Sequence, residues 1–349
     1  MTTGRGDAIP VRAVLTRPTV SIDAAAGILR RHWGIRGDLT VLPGERDRNF
    51  RVDVGGRPRF VLKVANLGED PAFLELQNRV MTHVAGLQAI CQRPVPATDG
   101  RLVLDGGEAA GPPLVRLLTW LPGVPLADVP VRARPSRLHL ELGIMVGRLS
   151  SLIQRAGVEP PDRAFQWDVL RHENVIDAHV DAVADAGRRA LLDTARQRLQ
   201  ATLRPVIDEL PRSLIHNDAN DHNVLVDPER QSVTGFLDFG DMVHSPTVNE
   251  AAVAAAYAAL GAEDPVAVIE AVAAGFEQIH ALGPAEQAAL FELVIARLAT
   301  SVALSAHQAR LDPSDPYLSV SEEPAWGLLE RLMSIPPATG TAAIVEAGR

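Results

Sequence analysis

The chain has 349 residues, a net charge of −9, 46% hydrophobic and 22% charged residues, and a single cysteine. This length exceeds one compact core, so two lobes are expected, and the composition is that of a folded chain, not a disordered one. The acidic balance argues against nucleic acid as a partner, and one cysteine excludes an internal disulfide.

Residues 1–18 read as a flexible arm. The first ten lack the apolar region of a secretory signal, and the most apolar run, residues 251–260, is too short to span a bilayer, so a cytoplasmic location without a membrane partner is expected. Ser21 or Asp23 caps a helix over residues 24–31. Strand-like runs follow at 39–42, 50–54 and 60–64, the last two joined by the hairpin signal Gly55-Gly56-Arg57-Pro58. A helix is expected over 71–87, with Leu74, Val80, Met81 and Val84 on its apolar face. Cys91 reads as a buried structural thiol. Two more strands, 102–104 and 114–118, complete an N-terminal lobe at 19–119.

Trp120-Leu121-Pro122-Gly123-Val124-Pro125 breaks the pattern and marks the boundary. Helical spacing then dominates, over 138–153, 188–203, 249–260, 265–281 and 284–309. Two polar, strand-like pieces at 213–226 and 233–239 interrupt it. The second lobe is placed at 120–335 and a flexible tail at 336–349. Strands with one long helix first, then mostly helices, give an α+β two-lobed arrangement.

The chemistry is concentrated in the polar insert. His216-Asn217-Asp218-Ala219-Asn220-Asp221-His222-Asn223 sits between apolar runs, and fifteen residues beyond Asn223 comes Asp238, in Leu237-Asp238-Phe239-Gly240-Asp241. Phosphoryl transfer from ATP needs a carboxylate to take the hydroxyl proton, oxygen ligands for Mg²⁺ and a cation on the phosphates. Asp218, Asn223 and Asp238 offer the base and two metal ligands, at the spacing of a kinase catalytic loop and metal-binding triplet. A single loop Asp or Asn is most often a turn or cap residue, and the joint spacing is what raises these three above that. A metal hydrolase built on His216, Asp218 and His222 lacks the His-x-x-x-His spacing.

The pattern His216-Asn217-Asp218, Asn223 and Leu237-Asp238-Phe239 resembles the aminoglycoside phosphotransferase and choline kinase superfamily, with Asn217 where glycine is usual. The longer strings through Asn223 and through Met242 are similar to the hydroxylysine kinase branch and to kinase-like domains fused to class III aminotransferases. The resemblance implies a protein-kinase-like fold, with a β-rich N-lobe, one long helix and a helical C-lobe. It also implies ATP with Mg²⁺ as cofactors, Asp218 as catalytic base, Asn223 and Asp238 as metal ligands, and His216 bonded to backbone near the metal triplet. Apart from the resemblance, Asp221 and Asp241 are expected to face a substrate ammonium.

Lys63, on the third strand, matches the phosphate-contacting lysine. Its helical partner is Glu75, or Gln77 where the apolar register places the family's glutamate. Arg46 and Asn49, in the loop after the first strand, occupy the phosphate-covering position together with Arg48, although the loop is no glycine cradle. Arg116 to Thr119 run into the hinge, where Thr119 is a nucleotide contact through its backbone. Trp167 is expected in the core and Asp168 as a cap. The acceptor expected is a small amine-bearing hydroxyl compound, best represented by 5-hydroxylysine. Homoserine, ethanolamine, choline or an aminoglycoside are the related alternatives, and a non-catalytic nucleotide-binding module is the alternative of another class. Oligomeric state and the choice between ATP and GTP are left open.

Overall fold

The computed structural model describes residues 17–44, 46–107, 113–160, 163–311 and 322–348. Helix α1 (Ile22–Trp33) starts at Ser21, whose hydroxyl accepts from the Ala24 N–H at 3.1 Å, and stops at Gly34, which has φ 65°. Most of the expected arm lies outside the described residues. Strands β1 (Asp38–Leu42), β2 (Arg48–Val54), β3 (Arg57–Val64), β4 (Leu104–Asp105) and β5 (Leu114–Thr119) form an antiparallel sheet in the order β1-β2-β3-β5-β4. Helix α2 (Pro71–Leu87) lies between β3 and β4 in sequence and carries the expected bounds.

The sheet's two-residue alternation sorts its side chains. Phe50, Val52, Leu62, Val64, Val115 and Leu117 join Ala25, Ile28, Leu29 and Trp33 of α1 in one buried cluster. The intervening positions belong to the other face. There, Asn49 pairs with Lys63 and Lys63 with Arg116 in the strand register, so the three form a row across β2, β3 and β5.

The second lobe begins with β6 (Val124–Pro125), followed by α3 (Ser136–Arg155), α4 (His172–His179) and α5 (Ala186–Thr202). Strands β7 (Arg212–Ile215), β8 (Val224–Asp227), β9 (Ser232–Phe236) and β10 (Val243–Pro246) form the polar insert, with β7 paired to β10 and β8 between β6 and β9. Helices α6 (Asn249–Ala258), α7 (Pro265–Glu277), α8 (Pro284–Leu311), α9 (Glu322–Met333) and α10 (Pro337–Ala347) complete the lobe. Glycines allow α3 and α7 to touch: a Cβ on Gly143 would lie 2.0 Å from the Val272 carbonyl, and one on Gly275 2.0 Å from the Leu140 carbonyl. Every residue of α6 is buried, which its alanines permit.

The sequence reading of residues 336–349 as a flexible tail is corrected by α10, whose Ile344 joins the main core. Helix α8 is long and apolar enough to cross a membrane, but 94% of that stretch is buried inside the lobe, where it serves as the central core helix. Cys91 is buried, and burial pushes its thiol up to about 12, so it is a packing residue.

Candidate active site

The loop from His216 to Asn223 leaves β7 and enters β8, and its shape is fixed from beneath. Glu250, fully buried in the first turn of α6, accepts the His216 N–H at 2.6 Å and the Asn217 N–H at 3.0 Å. Burial raises the Glu250 carboxyl to about 7, against the pull of those two bonds. Asn217 has φ 64°, a left-handed conformation that glycine, and after it asparagine, adopts at least cost. Asparagine adds what glycine lacks: Nδ2 donates to the Trp167 and Asp241 carbonyls, each at 3.3 Å, and Oδ1 accepts from Asn249 at 3.2 Å. His216 Nε2 donates to the Leu237 carbonyl at 3.0 Å while Nδ1 accepts the Asp218 N–H at 3.3 Å. That pattern requires the neutral ring, and burial lowers the imidazole to about 4.

Asp218 is thereby turned into a cavity of about 640 Å³ between the lobes. Its Oδ1 accepts from Asn220 at 2.8 Å and from Arg297 Nη2 at 3.2 Å, and its Oδ2 from Asn223 Nδ2 at 2.6 Å. Burial, with Asp241 nearby, raises its carboxyl well above the usual range, and Arg297 opposes this. The Leu237 N–H donates to the Asn223 carbonyl at 2.8 Å, which brings Asn223 beside the chain that leads into Asp238. Asp238 has φ 53° and accepts from the Gly240 N–H at 3.0 Å and from Lys63 Nζ at 3.1 Å. Burial alone would raise its carboxyl, but Lys63 and Arg46 hold it below the ordinary carboxylate range.

These donors suit a magnesium ion. Asn223 spends its Nδ2 on Asp218, which leaves the amide oxygen for a metal beside the ionised Asp238. Among the described residues no three His, Cys, Asp or Glu side chains form a metal cluster. Magnesium needs none, because it binds through one or two protein oxygens together with water and phosphate.

The roof of the cavity is cationic. Lys63 is buried and also lies 3.7 Å from Asp47. Beside it in the row, Arg116 is 3% exposed, lines the cavity and donates to Asn78 Oδ1 at 3.3 Å. Arg46 reaches across the cavity to pair with Asp241. Positive side chains from the sheet thus oppose carboxylates from the loops, a charge arrangement matched to a metal–polyphosphate between them.

A family model described as the phosphotransferase enzyme family (APH) matches residues 38–291. The chain belongs to that family. It is similar to hydroxylysine kinase of Mus musculus, 27% identical with 91% of each chain covered, and to that of Danio rerio, 28% identical over 92% of this chain and 93% of the other. Among solved structures, a microcompartment-associated aminopropanol kinase superposes with a TM-score of 0.68 at 19% identity, covering 92% of this chain and 99% of that one. Amicoumacin kinase hAmiN, solved in complex with AMP-PNP, Ca²⁺ and Ami, superposes with a TM-score of 0.63 at 15% identity, covering 86% and 89%. The two-lobed, kinase-like fold and the small-molecule kinase class follow from this membership.

For a phosphotransferase of this family, Asp218, Asn223, Asp238, Lys63, Gln77, Arg46, Asn49 and Asp241 all line the one cavity. Several expectations need correction. Glu75 is exposed on α2 and does not line the cavity, whereas Gln77 is buried and does; neither bonds to Lys63, whose partners are Asp238 and Asp47. Thr119 is also outside the cavity: its N–H donates to the Arg93 carbonyl and its own carbonyl accepts from Gln92, so its backbone is already engaged. Asp221 is buried outside the cavity, and Arg48 packs its guanidinium 5.6 Å from the Phe50 ring centre. Trp167 lines the cavity under Arg297 and is not a core residue. Asp168 does cap, accepting from the Leu170 N–H at 3.1 Å.

Sequence reasoning missed Arg116, Glu250 and Arg297. The strand register offered a signal for Arg116, since a residue opposite Lys63 shares its face. Glu250 and Arg297 are charges within apolar helical stretches, which is itself the signal that a buried partner must exist.

Proposed function

We propose that the protein is an ATP- and Mg²⁺-dependent kinase that phosphorylates the hydroxyl of a small amine-bearing metabolite, with 5-hydroxylysine the best acceptor. The observation that carries this reading is the convergence of Asp218, Asn223 and Asp238 on one cavity wall, opposite Lys63 and Arg116. The similarity to vertebrate hydroxylysine kinases along nine-tenths of the chain supports the acceptor.

In this reaction Asp218 orients the acceptor hydroxyl and takes its proton. The acceptor oxygen bonds to the γ-phosphorus as the bond from that phosphorus to the β–γ bridging oxygen breaks, and ADP leaves. Lys63 and Arg116 compensate phosphate charge from the sheet side. Asn223, through its amide oxygen, and Asp238 would hold Mg²⁺, which neutralises charge on the phosphates when bound. Gln77, lying where the family's glutamate is expected, leaves Lys63 to pair with Asp238 and the nucleotide.

The test is ADP release from Mg²⁺-ATP across 5-hydroxylysine, homoserine, ethanolamine, choline and kanamycin, with Asp218→Asn as control. Turnover that depends on Asp218 and is highest with 5-hydroxylysine supports the reading. Preference for an amino alcohol or aminoglycoside keeps the kinase and replaces the acceptor. Nucleotide binding without turnover on any acceptor points to a binding module.

A further inference from the structure

The acceptor end of the cavity holds a cation that phosphoryl transfer does not by itself require. Helix α8 is buried along most of its length, yet Arg297, Ser301, Ser305 and Gln308 line the cavity. Their spacing puts them on one face of the helix, leading away from Asp218. Arg297 is 4% exposed, with its guanidinium carbon 4.5 Å from the Trp167 ring centre and 5.4 Å from that of Tyr257. One nitrogen, Nη2, donates to Asp218 at 3.2 Å; Nε and Nη1 are buried with no carboxylate or carbonyl within hydrogen-bond distance among the described residues, and the neutral Tyr257 hydroxyl is the polar group beside the guanidinium. A guanidinium has five donors and keeps its charge, so leaving most of them unmatched in a buried site is costly.

The groups beside it belong with an anion. The Tyr257 hydroxyl lies 3.5 Å from Ser301 Oγ, and both residues line the cavity. A buried guanidinium with two hydroxyls alongside is the donor set of a carboxylate site. Two of the cavity's other carboxylates bear on the rest of the acceptor. Asp241 is taken up by Arg46, and Glu322 lines the same cavity and can meet an ammonium. An acceptor carrying only positive charge would leave Arg297 with Asp218 as its one carboxylate partner among the described residues.

We propose that Arg297, with Tyr257 and Ser301, forms a subsite for a carboxylate on the acceptor, which makes the acceptor a hydroxylated amino acid and not an amino alcohol. The inference rests on the kinase reading above and names the chemistry of its acceptor. Arg297 then serves two neighbours: it braces Asp218 through Nη2 and fixes the acceptor through its carboxylate.

The test compares two acceptors that differ only in the carboxylate, 5-hydroxylysine and 1,5-diaminopentan-2-ol, on the wild type and on Arg297→Gln, Arg297→Lys and Tyr257→Phe. Melting temperatures of all four proteins establish that they are folded. The wild type is expected to favour 5-hydroxylysine by about 10²-fold in kcat/KM, the scale for a desolvated charge pair. In Arg297→Gln the preference falls to a few-fold, in Arg297→Lys it is intermediate, and Tyr257→Phe, which keeps the charge, narrows it by a smaller factor. If Arg297→Gln slows both acceptors equally and leaves the preference intact, Arg297 acts on Asp218 alone and the subsite is overturned. Equal use of the two acceptors by the wild type overturns the subsite while the kinase stands. If the wild type turns over neither compound, nor homoserine and 3-aminopropan-1-ol, the acceptor reading falls and the subsite with it.

Discussion

On the sheet side of the cavity, Asn49, Lys63 and Arg116 stand in one cross-strand row and take their positions from regular β register. On the opposite side, Asp218, Asn223 and Asp238 come from two irregular loops, with left-handed residues at Asn217 and Asp238. Distant residues reach into the first of them, Glu250 from α6, Asn249 beside it and Arg297 from α8, while Asp238 is held by the Gly240 N–H and by Lys63. A sheet positions side chains as a by-product of its hydrogen-bond ladder. A catalytic loop has no ladder, and each of its bent positions needs its own buried partner. The sheet side should therefore tolerate loss of one side chain with a local effect on nucleotide binding, while the loop side should couple chemistry to fold stability.

The largest expected effect is on the loop side. Asp218→Asn is expected to lower kcat by about 10³-fold or more, the range for a removed general base, with ATP affinity measured by calorimetry unchanged. Retained turnover would remove Asp218 from the chemistry. Glu250→Ala comes next. It strands two buried N–H groups and is expected to destabilise the protein by about 3 kcal/mol in urea unfolding, at roughly 1–3 kcal/mol per unsatisfied group. A change within error would mean that the loop keeps its shape without this brace.

The same brace has a pH signature. His216 is lowered from 6.5 to about 4, so between those values the unfolded state binds more protons and stability rises with pH. Glu250 is raised from 4.5 to about 7, so there the folded state binds more protons and stability falls as pH rises. The two oppose each other where the windows overlap. Glu250→Gln removes the second effect, and its stability is expected to climb between pH 4 and 6.5 by on the order of 3 kcal/mol more than the wild type's. Parallel pH curves for the two proteins would contradict this account of the pair. The smallest effect is expected on the sheet side. Lys63→Met should weaken ATP binding by about 10-fold, the worth of one charge-assisted bond, with a smaller stability loss than Glu250→Ala because Arg46 remains beside Asp238. A large stability loss would erase the contrast between the two sides.

Much of the sheet side was legible in the sequence for the same physical reason. Period-two alternation and a Gly-Gly turn set the strands, and the strands set Lys63. Helix α2 could be read to its end residues because Asp70 caps it and its apolar face is regular. On the loop side the residues proposed to react were legible as a spaced motif, but their supports were not. Glu250 and Arg297 lie 32 and 79 residues from Asp218, so only the folded chain brings them together. The error at Glu75 has a similar cause: two residues on α2 from Gln77, it falls on the solvent side, and helical register outweighs residue type. Helix α10 was missed because Pro336-Pro337 and the run Thr339-Gly340-Thr341 near its start mask a segment that tertiary packing stabilises.

In the proposed reaction Asp218 directs phosphoryl transfer from a nucleotide to a small-molecule hydroxyl. This role is tested most directly by mass spectrometry of the acceptor after incubation with Mg²⁺-ATP and either wild type or Asp218→Asn. A single phosphoryl group is expected on the hydroxyl of 5-hydroxylysine with the wild type, and an unmodified acceptor with the variant, which still binds ATP. Phosphorylation at a comparable rate by the variant would contradict that role, as would a wild type that binds ATP and transfers to no hydroxyl acceptor.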